Sequence, residues 1–136
     1  MNALEMTQEF TVTASVGAAE YQIKVRDHHH GGHWVSMFVW HGKPVSAGYW
    51  ACVFAPTHIS HPENSMDSIR EAFRTVWGRL RHLARTRQQF MALAAAERGG
   101  KRGYYSRLAN DTAKQILQEA QVWRICKAVW KEITKL

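Results

Sequence analysis

FTVTASVGAAEYQIKVR, from Phe10 to Arg26, alternates apolar and polar residues on both sides of a short break at residues 17–20. Phe10, Val12, Ala14 and Val16 fall on one side of an extended chain and Thr11, Thr13 and Ser15 on the other; Tyr21, Ile23 and Val25 alternate in the same way with Gln22, Lys24 and Arg26. A period of two belongs to a strand with one dry and one wet face, so this stretch predicts an antiparallel hairpin.

The rest of the fold follows outward from it. Residues 27–33 read as a loop. Residues 34–40 and 45–54 then flank His41-Gly42-Lys43-Pro44, whose glycine and proline mark a turn between two further strands. With Gly42 and Lys43 as the turn residues, Trp34, Phe38 and Trp40 share a face with Ala47 and Tyr49. Val35, Met37 and Val39 then share the other with Trp50, Cys52 and Phe54. Both faces of this second hairpin are apolar, so one meets the core and the other wants a cover. A homodimer is the expected solution, because monomers rarely leave large apolar patches bare.

Beyond a loop at residues 56–64, Ser68 and Glu71 form a capping-box pattern, and a helix is expected to begin between Ser65 and Ser68. At 100° per residue, Ile69, Phe73, Val76, Trp77, Leu80, Leu83 and Ala84 make one stripe. Arg70, Arg74, Arg81 and Arg85 lie opposite. Arg87 projects to the apolar stripe, which implies either a bend or an interface there. Gly99, Gly100 and Gly103 interrupt the helix, and Thr112 with Gln115 offers a second capping box ahead of Ala113, Ile116, Ala120, Trp123, Cys126, Trp130 and Ile133. The predicted order is ββββαα in one α+β domain over residues 1–136. Its parts are a four-stranded antiparallel sheet (10–55), a long basic helix (66–97), a Gly-rich loop (98–105) and a C-terminal helix (106–135).

No apolar run approaches the roughly 18 residues that span a membrane, and residues 1–10 lack the basic start and apolar stretch of an export signal. Cys52 and Cys126 stand 74 positions apart in apolar segments and are expected as reduced core residues of a cytoplasmic protein. The net charge of +7 is unevenly spread: residues 1–62 carry 3 basic and 4 acidic groups, residues 63–136 carry 15 and 7. That asymmetry points to a polyanion or an acidic protein surface as partner.

The basic helix is the main functional signal. Between Arg74 and Ala96 there are five arginines and no acidic residue. Guanidinium forks suit phosphate, and a row of them suits backbone contact more than base reading. Arg70, Arg74, Arg81 and Arg85, extended by Lys101, Arg102 and Arg107, are therefore the expected contacts to nucleic acid or a nucleoprotein. Tyr104 and Tyr105 add stacking surfaces, as do Trp34, Phe38, Trp40 and Tyr49 if that sheet face is open or at an interface. The alternative is a protein-binding module, an inhibitor or adaptor of the kind mobile elements encode, that occupies a partner's acidic or nucleic-acid-binding surface. Tryptophan, tyrosine and arginine anchor such interfaces.

Seven of the eight histidines precede Pro62. His28, His30, His33, His58 and His61 are weak metal candidates, because consecutive histidines on a loop point in different directions and no HExxH or CxxC spacing accompanies them. No cofactor and no metal are expected. His28 or His61 beside one of the scattered carboxylates Asp27, Glu63, Asp67 and Asp111 is the nearest approach to an acid–base pair, and no catalytic residue is assigned; a non-enzymatic protein is expected.

Overall fold

The structure, a computed structural model, describes residues 7–42 and 47–136. Four strands, β1 (Thr7–Val16), β2 (Ala19–His29), β3 (His33–Gly42) and β4 (Gly48–Ile59), precede two helices, α1 (Ser65–Ala96) and α2 (Arg102–Ile133). The strands form one antiparallel sheet in the order β1-β2-β3-β4, which makes the protein the α+β, ββββαα chain that its periodicities predict. It divides into two compact units, Met1–Arg74 with Arg124–Leu136, and Thr75–Trp123. Among the described residues no helix is long and apolar enough to cross a membrane.

In the first unit the dry sheet face is the one the alternation marks. Val12 pairs with Ile23 and Phe10 with Val25 across β1 and β2, and Val25 pairs with Met37 and Ile23 with Val39 across β2 and β3. Ile23, Val25, Val35 and Met37 are fully enclosed, each contributing about 1.5–3 kcal/mol relative to an exposed position. Ile69, Ala72 and Phe73 from the start of α1 and Cys126, Val129 and Ile133 from the end of α2 are buried in the same unit. Phe73 meets Phe54 and Trp130 edge-on, with centroids 6.2 and 6.4 Å apart.

Several local expectations need correction. Residues 27–33 are not a loop: β2 runs through His29, β3 starts at His33, and only residues 30–32 turn, with Gly31 and Gly32 at φ +60° and +121°. A Cβ on Gly32 would also stand 2.3 Å from His58 Nε2, so both the backbone and the space select glycine. In the second hairpin Gly42 pairs with Gly48 and Trp40 with Trp50, so the connection is longer than two residues. The expected turn residues Lys43 and Pro44, and the expected strand start at Val45, lie outside the described residues. This register puts Trp50 and Cys52 beside Trp40 and Phe38, while Tyr49 pairs with His41 on the opposite alternation. Irregularities between Val35 and Phe38 bring Phe54 back opposite Met37. Cys52 is consequently exposed, whereas Cys126 is buried as expected. Lys24 Nζ sits 4.4 Å from the Trp50 ring centroid and partly covers this outer aromatic face.

The helix ends differ as well. Asn64, not Ser68, caps α1: its Oδ1 accepts from the Asp67 backbone N–H at 2.8 Å, and Asp67 Oδ2 accepts from the Glu63 N–H at 3.2 Å. Gly103, Tyr104 and Tyr105 lie within α2, so the break is confined to residues 97–101. Thr112 is interior to α2, where its hydroxyl donates to the Leu108 carbonyl at 2.8 Å.

Candidate functional site

Each unit carries one cluster of chemistry-bearing side chains. In the first unit, Asp27 continues the period that places Ile23 and Val25 on the dry face, and it is fully enclosed. His29 follows two residues on, hence on the same face, and pairs directly with His33 across the three-residue turn. Asp27 Oδ2 accepts from His33 Nδ1 at 2.8 Å, His29 Nε2 at 3.0 Å and the buried Ser68 hydroxyl at 2.8 Å. Ser65 Oγ lies 3.4 Å from His29 Nε2. Asp27 Oδ1, also buried, has no hydrogen-bond partner. Ligand-capable atoms of Asp27, His29 and His33 all lie within 4.8 Å of one another.

Burial opposes ionisation of Asp27, but the donors around it, His33 first and then Ser65, Ser68 and His29, outweigh burial and hold its carboxyl below the usual carboxylate value. The folded pKa being the lower one, Asp27 contributes stability that is complete above the unfolded value near 3.9 and is lost as pH falls through the folded value. Urea midpoints recorded from pH 6 downward are therefore expected to decline below about pH 4, and to decline less in Asp27→Asn. Identical acid profiles for the two proteins would remove Asp27 as the cause.

The other histidines go elsewhere. His28 alternates to the outer face, with Nδ1 2.7 Å from Thr7 Oγ1. His58 donates from Nε2 to the Gly31 carbonyl at 3.2 Å and packs against Trp34 at 4.6 Å between centroids. His30 and His61 line a cleft over the turn together with His29 and His33. Sequence reasoning named His33 as a ligand candidate but passed over Asp27 and His29. The overlooked signal was an Asp-x-His on an alternating strand, followed by a Gly-Gly turn and a further histidine.

In the second unit α1 and α2 run antiparallel. Trp77 packs on Trp123, Arg79 donates to Glu119 at 3.1 Å, and residues 87–95 meet residues 102–110 around a small cleft. The helix α1 continues unbroken through Arg87. The Arg87 side chain lines that cleft, of about 280 Å³, with Arg102, Ser106 and Asn110, and its Nε is buried without a hydrogen-bond partner. This unit holds nine Lys and Arg against three Asp and Glu. Arg81, Arg85, Arg98, Lys101, Arg102 and Arg107 are exposed and form no ion pair among the described residues.

Arg70 and Arg74 belong to the first unit and are partnered. Arg70 donates to Asp67, and Arg74 to Glu71 at 2.8 Å. Both carboxylates precede Arg74 by up to two turns, outside the acid-free stretch from Arg74 to Ala96, and reach the arginines at a spacing of three. Of the expected row of four, Arg81 and Arg85 remain unneutralised. Tyr104 is half-exposed and touches Tyr105 edge-on. Trp34, Phe38 and Trp40 share the outer sheet face, without Tyr49.

No protein family, curated protein or solved structure matches the chain.

Proposed function

We propose that the protein binds nucleic acid, alone or within a nucleoprotein, by gripping backbone phosphates with the basic helical hairpin of its second unit and with little sequence preference. The observation that carries this reading is Arg87. It lines a cleft with Arg102, and among the described residues no carboxylate lines that cleft with them, so the two guanidinium groups lack a counter-charge there, and a phosphate at the cleft supplies one. The exposed basic residues around the hairpin connection supply the long-range attraction. Tyr104 adds a face for a base. No group-transfer chemistry is part of this reading. The protein acts inside the cell, and a second copy covers the outer aromatic sheet face.

Anisotropy of labelled single-stranded and duplex oligonucleotides, measured between about 50 and 200 mM salt, tests it. Log affinity is expected to fall linearly with log salt, and Arg87→Met to weaken binding by about ten- to a hundredfold, the equivalent of one charge-assisted hydrogen bond. Binding that ignores salt, or an Arg87→Met protein that binds as the parent does, overturns the proposal.

One observation favours a protein partner instead. The same unit exposes Trp77, Met91, Leu93 and Leu117, and apolar side chains among arginines are what a protein interface uses. A partner that stays bound through nuclease digestion, with no oligonucleotide affinity at low salt, would favour an inhibitor or adaptor directed at an acidic surface.

A further inference from the structure

We propose that Asp27, His29 and His33 form a zinc site, with three protein ligands and one coordination position open to the cleft over the β2–β3 turn. The strands bring the three residues together. Positions 27 and 29 share a face because they are two apart, and 33 joins them because it is the cross-strand partner of 29. Residues 30–32 can turn this tightly only because Gly31 and Gly32 accept positive φ. Three donors from one hairpin are thus fixed by backbone geometry before any ion arrives.

The donor set suits the ion. Two imidazoles and a carboxylate are a donor set that zinc takes, as iron(II) also does, and with zinc three protein ligands leave the fourth tetrahedral position to solvent. His29 Nε2 and His33 Nδ1 stand 3.0 and 2.8 Å from Asp27 Oδ2. Zinc bonds of about 2.1 Å at tetrahedral angles place ligand atoms about 3.4 Å apart, so these two pairs open by about 0.4 and 0.6 Å. Both imidazole protons move to the other ring nitrogen when the metal takes their place, and no net charge has to leave a neutral ring. The Ser68 hydroxyl, 2.8 Å from the carboxylate, orients the ligand from behind.

A separate observation points to a cation. Asp27 is fully enclosed, three hydrogen bonds converge on Oδ2, and Oδ1 is buried without one, the Ser65 hydroxyl standing near the carboxyl but not bonding Oδ1. A hydrogen-bonded structural triad would be expected to distribute its donors over both oxygens of a buried carboxylate. A divalent cation neutralises the whole group and compensates the oxygen left bare. Arg70, Arg74 and the hairpin arginines take no part in this site, so its existence is independent of nucleic-acid binding.

The test uses the full chain without an affinity tag, stripped by chelator and titrated with zinc by calorimetry, and with cobalt for its visible spectrum. One zinc per chain and intense tetrahedral cobalt bands are expected, with long-range ¹H–¹⁵N spectra reporting metal on His29 Nε2 and His33 Nδ1. Ser68→Ala should weaken zinc binding by about ten- to a hundredfold. The His29→Ala/His33→Ala protein should lose more than that, and His28→Ala/His41→Ala, whose histidines lie outside the cluster, should bind as the parent does. Absence of stoichiometric zinc, weak octahedral cobalt bands, or undiminished binding in His29→Ala/His33→Ala overturns the assignment. If that double variant loses its fold by circular dichroism, the cobalt and nitrogen spectra of the parent decide.

Discussion

Asp27→Ala is expected to lower folding stability by about 2–4 kcal/mol, a large fraction of what holds a domain of this size together. The carboxylate is the shared acceptor for three donors. The Ser68 side chain is fully buried, but its hydroxyl also lies 2.9 Å from the Ser65 carbonyl and can donate there, so it loses the difference between a charged and a neutral acceptor, about 1 kcal/mol. The His29 and His33 side chains keep 27% and 20% of their surface exposed, and partial hydration limits what they add. Truncation also leaves a small void where the start of α1 packs on the sheet. Urea unfolding at neutral pH measures the effect, with an unchanged m-value indicating that the native state is otherwise intact. A variant within about 0.5 kcal/mol of the parent would place Asp27 among ordinary surface positions and remove the cluster as a stabilising element.

Replacing Arg98, Lys101, Arg102 and Arg107 together by alanine is expected to weaken nucleic-acid binding by about two to three orders of magnitude near 0.15 M salt. Each phosphate contact releases close to one counterion, so four lost contacts should also flatten the log–log salt slope by about 3 to 4. All four side chains are exposed and unpaired among the described residues, so stability should stay within about 0.5 kcal/mol of the parent. That separates lost contact from lost fold. The corresponding change at Arg70 and Arg74 should do much less, because Asp67 and Glu71 already neutralise these groups. An unaltered slope in the fourfold variant would place the polyanion surface elsewhere.

These two expectations rest on features of different visibility in the sequence. The excess of basic residues in the second half is a matter of composition, and any fold would inherit it. Their freedom from carboxylates is not, since it depends on which acids a helix turn brings within reach. Arg87 shows the same limit: its place on the apolar stripe was legible, but the cleft that gives it meaning needs α2 alongside.

Alternation at residues 10–26 determined the first two strands and the 100° stripe from Ile69 to Leu83 the first helix, because period two and period 3.6 bury different sets of side chains. Composition alone likewise determined the charge asymmetry. The tertiary structure decided the rest. The length of the β3–β4 connection chose which aromatics share a face, since a slip of one residue reverses every side chain. The three-residue turn after His29 converted an apparent histidine loop into two paired strands, and strand pairing, which joins residues by register and not by neighbourhood in the chain, brought Asp27, His29 and His33 to one point.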